Sequence, residues 1–465
     1  MSGFVDILKP GSHVVVAGLG KSGRAAITFL LGLGVKISVS EGGRRENLEG
    51  DLVRWLTEKG VFVEAGGHTS ELFITADCVL ASPGVPLDLP ALEAARRKGI
   101  PVIGELALAP EYLHTPVVAV TGTNGKSTVT TLIGELLAAA GKKAFVGGNL
   151  GVPLAEYLAG PQESEVAVLE VSSFQLDSAG GFRPEVGVLL NITPDHMERY
   201  SSLAAYAASK FSLFANQRAG DVAVVNGDDP LITVWLEQEE HRGNGTIQVY
   251  GGAWREGLSA WLEAGTAVVS REGEAREEYR LAGTALAESP NAENALAAIL
   301  AAKAMGCAAE AIQTGLTRFA PLAHRLALVA EINGVAYYDD SKATNVGAVC
   351  SALLGMQRPV VLIAGGRGKG GGYQPLLGLL RKKVRAMVLI GEASEEIAEA
   401  SKGCTHIERA SDMEEAVARA AAMAQRGDAV LLSPACASFD MFRSYSHRGE
   451  VFQQAVNRLG ARANG

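Results

Sequence analysis

Lys126 sits in the glycine turn Gly122-Thr123-Asn124-Gly125-Lys126-Ser127-Thr128, between the apolar run Val117-Val118-Ala119-Val120-Thr121 and a helical pattern from Thr130 to Leu137. A strand-loop-helix turn of this kind offers a triphosphate main-chain N–H groups, the positive end of a helix and one ammonium. Gly122 and Gly125 let the backbone approach the phosphates with Thr123 and Asn124 between them, Lys126 reaches the β and γ groups, and Ser127 or Thr128 holds magnesium. Val120 stands where G-x-x-x-x-G-K-[ST] has a glycine, so the loop is a shortened G-x-x-G-K-[ST] form.

Other candidate groups also follow apolar runs. Glu170 closes Val166-Ala167-Val168-Leu169, where a carboxylate beside a phosphate loop suits magnesium; a helix N-cap region is the plainer alternative. Asp195 and His196 follow Val186-Gly187-Val188-Leu189-Leu190. Lys210, within Ala207-Ala208-Ser209-Lys210-Phe211, reads by itself as a solvated surface lysine. Asn291 suits the N-cap of an alanine-rich helix through Met305, with Asn294 one turn on; paired amides facing a nucleotide could instead read an adenine edge.

A second glycine turn, Gly18-Leu19-Gly20-Lys21-Ser22-Gly23, follows Val14-Val15-Val16-Ala17 as a strict G-x-G-x-x-G. The next strand ends at Ser40-Glu41, where an acidic residue would grip a dinucleotide ribose, which by motif says NAD; a UDP-sugar can use the same helix terminus. Ser82 lies in a small-residue turn after Cys78-Val79-Leu80-Ala81, able to line a crevice or merely connect. Late in the chain, strands end in Asp339-Asp340-Ser341-Lys342-Ala343-Thr344-Asn345, in the glycine-rich 365–372 and in Ser433-Pro434-Ala435-Cys436-Ala437-Ser438-Phe439-Asp440. The glycine tract reads equally as ligand edge or flexible loop.

These groups need parallel strands whose carboxyl ends share one edge, which is what doubly wound sheets provide. At 465 residues, with roughly 150 per domain, three α/β domains are expected: 1–105, 106–321 and 322–465. A balance of 42 basic and 51 acidic residues, interspersed, argues against nucleic acid or an anionic membrane as partner. Five scattered cysteines form no C-x-x-C pair, and no signal core or run of about eighteen apolar residues is present, so a cytoplasmic, reducing setting is expected.

The phosphate loop, Glu170-Val171-Ser172-Ser173-Phe174-Gln175-Leu176, Asn191-Ile192-Thr193-Pro194-Asp195-His196-Met197-Glu198-Arg199-Tyr200, and the Asp340 and Ser433 blocks together resemble the Mur ligases nearly end to end. The resemblance implies three domains, each a mainly parallel sheet with flanking helices: Rossmann-like, P-loop ATPase-like and Rossmann-like. It implies an ATP-dependent ligase that phosphorylates a carboxylate and joins it to an amine, with UDP-N-acetylmuramoyl-L-alanine and D-glutamate as substrates, and a monomer. Lys126 and Ser127 then bind ATP phosphates, Ser127, Glu170 and His196 face magnesium, and Lys210 becomes a carbamylated lysine at a second magnesium, reversing its surface reading. Asn291, Asn294, Arg325 and Asp340 contact the nucleotide; Asn149 and Ser172 face the muramoyl substrate. Lys342, Thr344, Lys369, Ser438, Phe439 and Tyr445 surround D-glutamate. The first fingerprint, Gly18, Leu19, Gly20 and Lys21 with Ser82, then holds UDP. Here the family's usual Asp-x-Arg pattern is replaced by Ser40-Glu41-Gly42, so Ser40 or Glu41 takes the uridine contact.

Other readings are a sister Mur or folylpolyglutamate-type ligase taking another amino acid, an NAD-dependent dehydrogenase built on Gly18, Gly20, Gly23 and Glu41, and a P-loop switch acting as a binding module. The dehydrogenase leaves the second loop and the Asp340 block unused.

Overall fold

A computed structural model describes residues 7–238, 245–271, 273, 275–369 and 372–463. Its strands form three sheets in chain order. The first is wholly parallel, ordered Phe62–Ala65, Lys36–Glu41, His13–Ala17, Cys78–Ala81, Val102–Ile103. The strand His13–Ala17 is central because Val14, Val15 and Val16 are fully buried on both faces, the pattern of a strand covered by helices on each side.

The second sheet has nine strands, with Val117–Thr121 between Val186–Leu189 and Val166–Glu170. Those neighbours run parallel, and their register sets Val120 opposite both Glu170 and Val188. Val118 and Val120 pack on one side against the helices Lys126–Ala139 and Asn291–Ala304, while Val117 and Ala119 pack on the other with Leu106, Ala107 and Leu154. That second cluster runs on into the core of the first sheet, so the 105–112 connection is a packed seam rather than a free linker. The expectation of a mainly parallel sheet meets one difference: at the far edge Ala260–Glu263, Thr266–Val269 and Glu277–Arg280 run antiparallel. Short strands with no helix between them to carry a crossover pair as antiparallel neighbours there.

The third sheet is ordered Ala327–Ile332, Val335–Asp339, Ala429–Leu432, Val360–Gly365, Val384–Ile390, His406–Arg409, parallel except for the first pair. Asp339 and Leu432 are paired across it, which puts the Asp340 and Ser433 blocks side by side. Of the glycine-rich tract, Gly370 and Gly371 lie outside the described residues. Among the described residues no helix is long and apolar enough to cross a membrane.

Candidate active site

The phosphate loop is shaped by two glycines for different reasons. Gly122 has φ +147°, and a Cβ there would meet Leu190 Cβ at 2.9 Å; at Gly125, φ +87°, it would meet Asn294 Oδ1 at 2.6 Å. Asn191 clamps the turn: its Oδ1 accepts from Asn124 N at 2.8 Å, and its Nδ2 donates to Asn124 O at 3.0 Å. Lys126 folds back, donating to Gly122 O and Thr123 O, each at 2.8 Å, and Lys210 donates to the same Gly122 O at 2.9 Å. Lys210 is 1% exposed, so its reading as a surface lysine fails: its helix packs on the helix Ser173–Leu176, where Ser209 Oγ donates to Ser173 O at 3.0 Å, and Tyr206 covers the ammonium at 4.5 Å. Burial, with Lys126 nearby, pushes the Lys210 pKa well below its ordinary value; burial also lowers Lys126, which Glu170 and Asp195 oppose.

Glu170 fits a cation. Its Oε1 accepts from Asn149 Nδ2 at 2.7 Å, while Oε2 is buried with no hydrogen-bond partner. Burial raises its carboxyl, but the Lys126 charge, hydrogen bonding and the Arg325 charge together outweigh that and hold it below the usual range. Ser127 Oγ accepts from Arg325 at 2.7 Å, tying the loop to the third sheet's domain. His196 adopts φ +57°, and its ring packs edge-on to Phe174 with centroids 4.8 Å apart. Burial lowers its pKa against the opposing pull of Asp195, favouring the neutral ring a metal ligand needs. Among the described residues no three His, Cys, Asp or Glu side chains converge into a preformed metal cage.

Beside the loop, a cleft of about 120 Å³ is lined by Asn124, Gly125, Thr128, Asn291, Asn294, Arg325, Asp340 and Lys342. It thus gathers the sequence-predicted nucleotide residues from both domains. Asn291 is not an N-cap: Pro290 holds that position and makes no side-chain cap, while Asn291 is the first helical residue, facing the cleft. Proline fits there because a helix start needs no N–H from it. Asp340 accepts from Leu326 N at 3.2 Å and Ser433 Oγ at 2.8 Å; burial pushes its carboxyl up to about 7. Lys342 lies here as well, its ammonium 3.8 Å from the Tyr445 ring.

Lys369 donates to Thr344 Oγ1 and pairs with Asp195 Oδ1, both at 3.4 Å. Asn345 caps the helix Val346–Gly355 and donates through Nδ2 to Asp195 Oδ2 at 3.0 Å and Asn124 Oδ1 at 3.2 Å. Asp195, Asn345 and Lys369 edge a cavity of about 260 Å³, whose lining does not include Thr344. A wider one of about 490 Å³ brings His196 together with Arg367 and Lys369. Ser438 is buried and Phe439 is 66% exposed, and neither lines any of these cavities.

A separate cleft of about 430 Å³ collects Gly18, Leu19, Gly20, Lys21, Glu41, Ser82 and Asn149. Glu41 is turned onto the turn itself, accepting from Leu19 N at 2.7 Å and Gly43 N at 2.8 Å. Lys21 donates to Gly151 O across the domain seam. Ser40 is not in this cleft: it is fully buried, with its hydroxyl donating to Glu64 at 2.7 Å and lying 2.8 Å from His68, because alternate strand residues face opposite sides. Ser172 is an N-cap, its hydroxyl engaged with Gln175 in a capping box. Spacing does not mark the parts that Asn191, Asp195 and Asn345 take: Asp195 and Asn345 pair across the domain boundary, while Asn191 braces Asn124 within the central domain.

Family models match along the chain: the N-terminal domain of MurD-like Mur ligases over residues 12–104, the Mur ligase middle domain over 120–302 and the Mur ligase glutamate ligase domain over 324–436. The chain belongs to the Mur ligase family. It is 43% identical over 453 residues to the UDP-N-acetylmuramoylalanine–D-glutamate ligase of Syntrophotalea carbinolica, covering 97% of this chain and 98% of the relative. It is 45% identical to the enzyme of that name from Desulfotalea psychrophila, covering 96% and 95%. A MurF ligase of Thermotoga maritima, solved with ADP, shares the fold at TM-score 0.59 and 18% identity, covering 97% of this chain and 96% of that one.

Proposed function

We propose that this protein is an ATP-dependent ligase that adds D-glutamate to UDP-N-acetylmuramoyl-L-alanine in cytoplasmic peptidoglycan precursor synthesis, acting through domains 1–105, 106–321 and 322–465. The supporting observation is the end-to-end likeness, above 40%, to relatives bearing that activity in their names, on a chain whose phosphate loop, carboxylate and cationic pocket meet at one edge.

The substrate carboxylate attacks the γ-phosphorus of ATP, ADP leaves, and the acyl phosphate is then attacked by the D-glutamate amine; phosphate leaves from the tetrahedral intermediate, and the amine proton passes to solvent or a base. Lys126 neutralises charge on the transferring group, where a preorganised cation in a dry site is most effective. Ser127, Glu170 and neutral His196 would hold magnesium, a role that the buried Oε2 of Glu170, without a hydrogen-bond partner, fits. Bound there, magnesium supplies charge neutralisation between phosphates. Lys210, lowered toward its neutral amine, is suited to take up CO₂ as a carbamate, a second oxygen ligand set.

Gly122, Thr123, Asn124, Gly125 and Thr128 cradle the phosphates, with Asn291, Asn294, Arg325 and Asp340 on the nucleoside. Gly18, Leu19, Gly20, Lys21, Glu41 and Ser82 take the UDP group, and Asn149 the muramoyl part. D-Glutamate needs cations and hydroxyls for its two carboxylates; Lys369, Thr344 and Ser438 supply them, with Lys342 and Tyr445 completing its surroundings. Phosphate release measured with purified enzyme, ATP, the UDP-substrate and single amino acids tests the reading: D-glutamate alone should support turnover. Release supported by L-alanine, a diamino acid or a folate would assign another ligase activity.

A further inference from the structure

The geometry points to Arg199 as a positioning residue that couples the UDP cleft to the catalytic turn of the central domain, an inference resting on the function proposed above. Arg199 lies on the turn that carries His196, its main-chain N donating to His196 O at 2.9 Å. Its guanidinium crosses to the first domain and donates from one nitrogen to Pro83 O at 3.0 Å and from another to Val85 O at 2.9 Å. A fork reading two main-chain carbonyls fixes orientation in a way a single ammonium cannot. The same guanidinium lies 4.2 Å from the Phe174 ring centroid, and that ring in turn packs on His196.

The carbonyls it holds belong to the wall of the UDP cleft, which Pro83 and Val85 both line. This wall rests on the fingerprint: a Cβ on Gly18 would stand 3.0 Å from Val85 Cγ2 and 3.2 Å from Ser82 Cβ, so the two turns touch with no slack. Ser82 also donates to Gly18 O at 3.1 Å. A continuous packed path therefore runs from Gly18 through the 82–85 turn, Arg199 and Phe174 to His196. A ligand seated on the fingerprint presses on a wall whose outer side is held by the catalytic turn. The reacting carboxylate of that ligand must reach the phosphate loop of the other domain, so the register between the two domains matters to the chemistry, and small misplacement of reactants is costly.

Arg199→Met and Arg199→Lys, each purified as the full chain, test this. UDP-N-acetylmuramoyl-L-alanine binding, titrated without turnover, is expected to weaken about tenfold in Arg199→Met, and kcat to fall by a similar factor, while KM for ATP and for D-glutamate stays within about twofold. Arg199→Lys, keeping the charge but not the fork, should recover only part of each loss, and both melting temperatures should stay near wild type. Arg199→Met with unchanged affinity for the UDP-substrate and unchanged kcat overturns the coupling, as does full recovery by lysine. Equal losses for all three substrates together with a lowered melting temperature also overturn it, leaving Arg199 as a fold support. A wild-type enzyme that fails to bind the UDP-substrate would remove the proposed function and this inference with it; a wild type that binds and ligates, beside an indifferent Arg199→Met, removes this inference alone.

Discussion

The molecule contains two glycine turns of the same plan, strand to turn to helix, whose main chains are met by opposite charges. At the first, Glu41 from the adjoining strand takes the Leu19 N–H, and Lys21 leans away to Gly151 O. At the second, two lysines, Lys126 and Lys210, converge on Gly122 O, and an amide, Asn191, braces the loop. Glycines thus set the shape of an anion cradle, while residues on neighbouring strand ends decide its task. A turn whose main-chain N–H groups are already taken by a carboxylate suits a ligand that is held and left intact. A turn with two desolvated amines suits one whose negative charge is being redistributed.

That contrast breaks most readily at Lys126. Lys126→Ala is expected to lower ligation by a factor on the order of 10³ while leaving UDP-substrate affinity within about twofold, since the first turn is untouched. ADP release and a binding titration measure the two; a variant retaining a tenth of the activity would abolish the distinction between the turns.

Lys210 comes next. Burial, then repulsion from Lys126, lowers its pKa, so as pH rises the ammonium is lost earlier than in an ordinary lysine and the neutral amine, which alone reacts with CO₂, gains. Lys210→Ala should cost about 100-fold in kcat. Wild-type activity should fall in CO₂-depleted buffer and return with bicarbonate, more completely at higher pH. A rate indifferent to bicarbonate would reduce Lys210 to a fixed amine.

The seam between the turns gives a stability prediction. Glu105 is 2% exposed, accepts from Ala155 N at 2.8 Å through Oε1, and leaves Oε2 without a partner. Burial pushes its carboxyl from 4.5 up to about 7. The folded state therefore holds a proton that the unfolded chain releases from about pH 4.5 upward, so this group's stability is fully present below that value and is lost as pH rises through 7. The full difference amounts to about 3 kcal/mol. Between pH 5 and 8, wild-type melting temperature should decline relative to Glu105→Gln, which stays neutral throughout; parallel curves would show that Glu105 ionises normally.

Much of this was legible in the sequence, because apolar runs ending in Lys, Glu or Asp-His are local signals. The three-sheet plan, the strand-turn-helix form around Gly122–Lys126 and the gathering of Asn291, Asn294, Arg325 and Asp340 beside it were legible, the last through resemblance. What was not legible depends on where a side chain turns. Ser40 and Glu41 are neighbours, yet strand alternation sends one hydroxyl inward to Glu64 and the other residue's carboxylate to the cleft. Ser172 reads as a ligand group but is spent on a helix start. Asn345 earns its place only through Asp195 and Asn124, which lie 150 and 221 residues away. Lys210 looked solvated because burial of a lysine leaves no mark in local composition.

Glu41→Gln is the gentlest way to sharpen the contrast between the turns. The two carboxylate oxygens each serve a different main-chain donor, Oε2 the Leu19 N–H at 2.7 Å and Oε1 the Gly43 N–H at 2.8 Å. Glutamine keeps the shape but accepts at one of these positions and presents an NH₂ group to the other, where two donors now oppose each other. A charge-assisted bond becomes a neutral one and a second is lost, a change of roughly 1 kcal/mol at a partly exposed site, or about fivefold in an equilibrium. If Glu41 orders the turn for its ligand, KM for the UDP-substrate should rise by about that factor with KM for ATP unchanged. If its charge chiefly repels the diphosphate, removing it should tighten binding instead, and adding salt should narrow the gap between variant and wild type. The sign of the change therefore decides whether the first turn owes its passivity to order imposed by a carboxylate or to repulsion from it.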